Sequence, residues 1–498
     1  MTRTAHLVNC RTLEWKAGNR VTIRNSLVVL TFGALPTFVF AQAATAQDAK
    51  TVIDGASKAM GVSGLGSVRY SGSGLNFALG QAVNPSSAWP KFNVKTYERV
   101  IDFDAGAASQ TMVRTQGENP PRGGGLQPIV GEQTQSVVNG FTQPWASKFE
   151  VWVTPVGFLK GALASNNATV QAKTVGAKKY NVVSYMVESK YKINGYIDDQ
   201  NMVEKVETWV DNPVLGDMPV EANYSDYKEF HGMKFPTKIV ETQGGYPVME
   251  LTITDANRNV VAGVQPPGKD AAPQNPIFGV DEQLVAEDVY YFTGGTHHSV
   301  IVNFNDYVVV IEGPLDEARS SAVISEVKKL YFNKPIRYLV NTHAHFDHAG
   351  GIRTYAAEGA TILTYQMNKA YYEKTFAMPR TLAPDKLLQS KKKAVIESVG
   401  EKRVLTDGTH TIELYHVPNE HNEGMLIAYL PKEKIVVEAD LYTPGAPNAP
   451  TPNPVSPYTL SLVENLDRLK LDYNKILGLH GRLATKDELM KAVGKSGK

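Results

Sequence analysis

The sequence predicts an α/β protein in two parts: a β-rich antiparallel front part led by one helix, and a C-terminal part whose strands end on metal-ligating side chains. Three observations predict it. Residues 180–254 alternate apolar and polar side chains in short runs divided by Gly, Asn and Asp. Residues 261–276 are rich in Pro, Gly and Ala and have no apolar period. Beyond that break, apolar β-like runs end repeatedly at a histidine or an aspartate. The division expected is 1–46 as a signal peptide, 47–260 as the β-rich part, 261–280 as a linker and 281–498 as the ligand-bearing part. At 498 residues the chain is too long for one ordinary domain.

The N-terminus sets the expected compartment. Arg20 and Arg24 precede an uncharged apolar run, 26–41, followed by the small-residue segment 42–47. That is the pattern of a secretory signal peptide, cleaved after Ala43 or Ala46. The run is short, and Pro36 breaks it, so it falls below the roughly 20 residues of a membrane span; a retained anchor is the competing reading. The stretch before Arg20 is long for such a signal, which places the expected start after Met1. The single cysteine, Cys10, lies in the segment to be removed and ahead of the apolar run, so the mature chain is expected to form no disulfide and to carry no lipid on a thiol. Removal of 1–46 leaves 46 basic and 49 acidic residues, a net charge of −3. Nothing in that balance points to a nucleic-acid partner, and none is expected. The expected location is periplasmic or secreted, with no stable membrane span after processing.

In the front part, Val52, Ile53, Ala56 and Met60 fall at helical spacing, predicting a helix over 48–60. Strands follow at 180–188, 191–198, 202–210, 220–227, 234–242 and 248–254, with Asn194-Gly195 and Gly244-Gly245 as hairpin turns. The segment 120–126 contains Gly123, Gly124 and Gly125 but no Lys-Ser/Thr at phosphate-loop spacing, so it reads as a solvated connector or a pocket cover.

The chemistry concentrates after residue 290, where nine of the eleven histidines lie. Thr342-His343-Ala344-His345-Phe346-Asp347-His348 follows the apolar run 336–340. His343 and His345 are two apart, so an extended backbone turns both rings to one side, and the next turn brings Asp347 and His348 to a second position nearby. That spacing suits two adjacent metal ions. His421 sits in a loop between the strand-like runs 411–417 and 425–430, Asp440 ends the run 434–439, and His480 ends 476–479. Loops at strand ends are the usual mounts for ligands.

This ordered set resembles the metallo-β-lactamase-fold superfamily of metallohydrolases, from about Val289 to the C-terminus. The runs 292–295 and 308–314 resemble its opening strands, and Gly350-Gly351 the start of its first long helix. The resemblance implies a four-layer αββα fold and a dinuclear site. His343, His345 and His421 would hold one ion, Asp347, His348 and His480 the other, and Asp440 would bridge them. Two Zn²⁺ are implied, with Fe or Mn²⁺ able to take the second site. Two such ions roughly 3.5–4 Å apart share a water and lower its pKa toward about 7, leaving hydroxide to attack an ester, lactone, thioester or related bond. Asp347 would also move the proton, and Tyr442 is a candidate donor to a substrate oxyanion. Glu312 stands where many relatives have Asp, which puts in doubt a hydrogen bond behind the ligands. A bridging Asp440 favours esterase, lactonase, thioesterase, sulfatase and phosphodiesterase branches over β-lactamases, and His345 argues against the redox branch that has glutamate there.

His297, His298, His410 and His416 match no ligand position and read as structural or pocket-lining. The proline-rich segment 443–454 is expected to wall the substrate pocket, with Tyr442 at its base. Residues 224–239 resemble a periplasmic lipoprotein-carrier-like fold, an incomplete barrel with an apolar hollow, which implies a substrate or ligand of lipidic or aromatic character. Competing readings of the whole are a hydrophobic-ligand-binding protein with an idle hydrolase part, and a β-lactamase.

Overall fold

A computed structural model describes residues 46–125, 127–261, 263–266, 279–446 and 449–495. Residues 1–45 of the expected signal segment, Cys10 among them, and most of the expected linker lie outside the described residues. Among the described residues no helix is long and apolar enough to cross a membrane.

The front part is a mixed structure dominated by one antiparallel sheet of eleven described strands. Its order runs from Gln133–Gly140 through Ala107–Gln116, Lys91–Asp102 and Ser67–Phe77 to Tyr246–Arg258, then back strand by strand to Thr169–Val175. All six expected strands are present. The helix Ala46–Met60 buries Ala49, Ile53, Ala56 and Met60, one stripe at helical spacing, against the sheet and the helix Pro155–Ala164. Thr154 caps that second helix by accepting from the Gly157 N–H at 3.0 Å, with Pro155 at its first position.

The two hairpin expectations part company. Gly244 and Gly245, at φ +61° and +91°, join Gln243 to its partner Tyr246, the two-residue turn that needs positive φ twice. Asn194-Gly195 instead lies inside the strand Tyr191–Ile197. Asn194 spends its amide on Glu207 (2.9 Å) and its oxygen on Ser184 (2.7 Å), and Gly195 gives room to the Phe158 ring, which a Cβ would meet at 2.2 Å. Helix packing, not turn geometry, accounts for that glycine.

Under the helices the sheet encloses a hollow of about 340 Å³, and its lining is mixed. Tyr70, Phe149 and Phe235 meet Arg99, Glu150 and Glu241 there, with Arg99 Nη1 3.0 Å from Glu150.

The rest of the chain forms two further sheets. One runs from Asp281–Ala286 to Val395–Val399, and its strands Val308–Ile311, Ile336–Val340, Thr361–Tyr365 and Val395–Val399 are parallel. The other runs from Lys402–Thr406 to Leu483–Thr485, with Ile435–Glu438 parallel to Lys475–Gly478. Val309 and Ile311 share an apolar cluster with Leu414 and Val437 of the other sheet. Val308 and Val310 point oppositely, toward Val323 and Ile324 of the helix Glu317–Leu330, while Val436 and Ile476 meet Leu462 and Leu466 of the helix Pro457–Leu469. Gly350-Gly351 opens no long helix. The pair separates the four-residue helix Phe346–Ala349 from Ile352–Glu358, and a Cβ on Gly350 would lie 1.8 Å from the Leu315 carbonyl.

Candidate metal centre

Parallel strands deliver their carboxyl ends to one edge, and ligands collect there. Ile336–Val340 leads into His343 and His345, the short helix Phe346–Ala349 carries Asp347 and His348, Ile435–Glu438 leads into Asp440, and Lys475–Gly478 into His480. Asp440 takes the left-handed backbone conformation at φ +64°, which aspartate tolerates. Buried Glu438 holds that turn by accepting from the Leu441 and Tyr442 N–H groups at 3.1 and 3.2 Å. His421 is mounted on a turn in which Asn419 Oδ1 accepts from the N–H groups of His421 and Asn422, both at 2.8 Å.

All seven ligand candidates converge. His343, His345, His421 and Asp440 form one group whose donor atoms lie within 4.8 Å of one another, and Asp347, His348 and His480 belong to a second. Asp440 lies between them. Its Oδ2 is 3.2 Å from His343 Nε2, 3.0 Å from His421 Nε2 and 3.1 Å from His348 Nε2, and its Oδ1 is 2.9 Å from His480 Nε2. Every one of these side chains is buried except Asp347, whose side chain keeps 30% of its surface exposed. The centre therefore opens on the Asp347 side.

The sequence reading missed His297. It joins the second group, with Nε2 3.2 Å from Asp347 Oδ2 and its ring 4.0 Å from that of His480. No ligand spacing marks it; a backbone bridge between His297 and His480 brings it in. His298, His410 and His416 stay outside both groups. Tyr442 also stays outside them. Its ring belongs to the apolar cluster of Leu441 and Tyr458, and burial, with the Glu488 carboxylate nearby, pushes its hydroxyl up to about 12.

The groups behind the ligands aim them. Glu312 accepts from His348 Nδ1 at 3.1 Å and is also bonded by Thr342 and Asn341, so the longer side chain still reaches its histidine. Thr342 Oγ1 lies 3.0 Å from His343 Nδ1, and the Thr296 carbonyl accepts from His480 Nδ1 at 3.1 Å. These contacts turn Nε2 of all three rings to the centre. Burial holds His343 at about 4 and His345 well below the usual imidazole range, so both are neutral, as ligands must be. Burial opposes the charges on Asp347 and Asp440, yet His348 together with the other histidines around them holds both carboxyls below their usual range. Burial likewise opposes charge on His348, but Asp440 and Asp347 keep it well above the usual value, so it carries a proton that a bound cation would displace.

The donor set fits divalent metal. His345 Nδ1 is buried at the centre without a hydrogen-bond partner, an arrangement that costs free energy unless a cation takes that lone pair.

Two segments read as loops pack on the ligand-bearing part. The glycine-rich segment is no solvated connector: the Gly123 N–H donates to the Glu420 carbonyl at 2.9 Å, and the Gly123 carbonyl accepts from Tyr458 Oη at 2.8 Å. Leu126 lies outside the described residues. The proline-rich segment, of which residues 447 and 448 are likewise outside, lines a cavity of about 710 Å³ with Tyr442, Pro452 and Pro454 on one side and Gln116, Pro128 and Ile129 on the other.

Residues 292–445 match the profile of the Metallo-beta-lactamase superfamily. No curated protein matches the chain. Among solved structures, the chain is similar to a metallo-beta-lactamase from Pontibacter korlensis, at 16% identity over 43% of this chain and 98% of that one, with a TM-score of 0.34. It is also similar to the metallo-beta-lactamase FIM-1 from Pseudomonas aeruginosa in its mono-zinc form (18%, 43% and 93%, TM-score 0.33) and to a metallo-beta-lactamase from Hirschia baltica (17%, 43% and 96%, TM-score 0.33). The C-terminal part of this chain is a metallo-β-lactamase-fold domain.

Proposed function

We propose that the chain is an exported hydrolase with a dinuclear zinc centre that cleaves an ester, lactone, thioester or related bond in a small molecule. The observation that carries it is Asp440, one carboxylate standing between two groups of ring nitrogens. His343, His345 and His421 would hold one ion and Asp347, His348 and His480 the other, in an αββα arrangement supported by the alternation of three apolar clusters. When bound, two such ions supply Lewis acidity toward the scissile carbonyl and a water acidic enough to ionise near neutral pH.

The chain's own residues do the rest. Asp347 is the exposed member of the set, and its Oδ2 faces the centre, so it is placed to take the attacking water's proton. His297 donates to that oxygen and keeps it oriented. Burial of the other ligands excludes bulk water and fixes the attack to the Asp347 side. The 710 Å³ cavity beside Tyr442 offers an apolar place for the part of the substrate that does not react.

A panel of esters, lactones, thioesters, β-lactams, sulfate esters and phosphodiesters, run with a His345→Ala variant, tests the reading. It predicts turnover of at least one ester-like class, abolished in the variant. Turnover of β-lactams alone, or none with metal bound, overturns it. Export rests on the charge and apolar pattern of 20–47; N-terminal sequencing of the protein recovered from the periplasm should begin at Ala44 or Gln47.

The mixed hollow of the front sheet favours a second reading, a ligand carrier with an idle hydrolase part. Metal below about one equivalent per chain, with no turnover, would select it.

A further inference from the structure

We propose that Gln81 and Ala82, from the front part, are positioning residues of the metal centre, Gln81 for Asp347 and the Ala82 carbonyl for His345. The inference rests on the metal-centre reading above.

Gln81 Nε2 donates to Asp347 Oδ1 at 2.8 Å. That bond occupies one carboxylate oxygen and leaves Oδ2 toward the centre, 3.2 Å from His297 Nε2 and 3.7 Å from His348 Nε2. The Ala82 carbonyl accepts from His345 Nε2 at 3.0 Å and from Asn422 Nδ2 at 3.2 Å. With its proton fixed on Nε2, His345 must present Nδ1 to the centre, and Nδ1 is the buried nitrogen that has no partner. The neighbouring histidines use a local threonine, a carbonyl or Glu312 for the same purpose. His345 borrows its acceptor from 263 residues away.

The segment carrying the two residues is held at several points. The Phe346 N–H donates to the Gly80 carbonyl (3.1 Å), the Gly124 N–H to the Gln81 carbonyl (2.9 Å) and the Glu423 N–H to the Val83 carbonyl (2.8 Å). Asn84 Nδ2 donates to Glu423 at 2.8 Å. Gly80 is at φ +77°, with the Phe346 ring 2.3 Å from where a Cβ would stand, so only glycine lets the segment come this close. A segment pinned on both sides of Gln81 holds that amide in one place, as an aiming group requires.

Such partners commonly change metal affinity by about 10–100-fold. The test uses the full chain, stripped by chelator and titrated with Co²⁺, reading visible absorbance and competition with a chelating dye. Gln81→Met keeps the volume and removes the donor; Gln81→Ala serves if the first perturbs folding. The expected result is that one of two equivalents weakens by about 10–100-fold, while the other equivalent and the melting temperature of the metal-free protein stay as in the wild type. Two unchanged equivalents overturn the inference, as does a joint loss of both with a lower melting temperature, which would mark a packing contact only. A wild type that takes up no cobalt overturns the metal-centre reading itself and this inference with it.

Discussion

Asp440 meets His480 at 2.9 Å through Oδ1, while its other oxygen lies 3.0 Å from His421 of the opposite group and 3.1 Å from His348. One side chain thus joins the loop ends of two parallel strand pairs, and the assembly of the site depends on it. Asp440→Ala should leave fewer than about one equivalent of metal after gel filtration, against about two for the wild type, measured by elemental analysis with circular dichroism as the check on folding. Retention of both equivalents would remove Asp440 from its bridging role.

Glu312 is the acceptor for His348 Nδ1. Glu312→Ala should weaken metal binding at the Asp347, His348 and His480 group by about 10–100-fold, read by chelator competition. Unchanged affinity would mean that Thr342 and Asn341 alone orient this corner.

His297 faces Asp347 from the open side. His297→Ala should lower kcat by about 100-fold or more on whichever substrate the panel identifies, while the equivalent held by His343, His345 and His421 remains. A change in KM alone would assign His297 to substrate contact.

The strand Tyr191–Ile197 passes beneath the Phe158 ring at Gly195. Gly195→Ala should cost about 1–3 kcal/mol of stability by overpacking, seen as a lower urea midpoint with an unchanged slope. No shift would show that the helix Pro155–Ala164 is free to yield.

Glu241 lines the hollow, half-buried, and burial together with the Glu150 carboxylate pushes it up to about 7. Its folded value exceeds the unfolded one of about 4.3, so the folded state binds the extra proton. Stability is fully present below the unfolded value and falls as pH rises through about 7. Glu241→Gln should flatten that fall, measured by urea denaturation at pH 4.5 to 8. An identical slope in both proteins would place the titration elsewhere.

What the sequence disclosed follows from how local each signal is. The cluster His343 to His348 is written in six consecutive positions, and His421, Asp440 and His480 follow apolar runs that read as strands. His297 carries no such mark, because a bridge to His480 across 183 positions brings it in. Gln81 reaches Asp347 from 266 residues away. The early front strands were silent for a different reason. Gln133–Gly140 is mostly exposed and Ser67–Phe77 is interrupted by Gly72 and Gly74, where its register shifts; neither gives a clean period of two. Asn194-Gly195 misled because the pair is a strong hairpin signal where both residues take positive φ, and here neither does.

Seven side chains gathered around two ions should give a direct scattering signature. Anomalous scattering at the zinc edge, from crystals of the full chain grown with Zn²⁺, tests it most directly. Two peaks should flank Asp440, one bounded by His343, His345 and His421 and the other by Asp347, His348 and His480. No peak beside Asp440, or a single one that leaves either group of three unused, would contradict it.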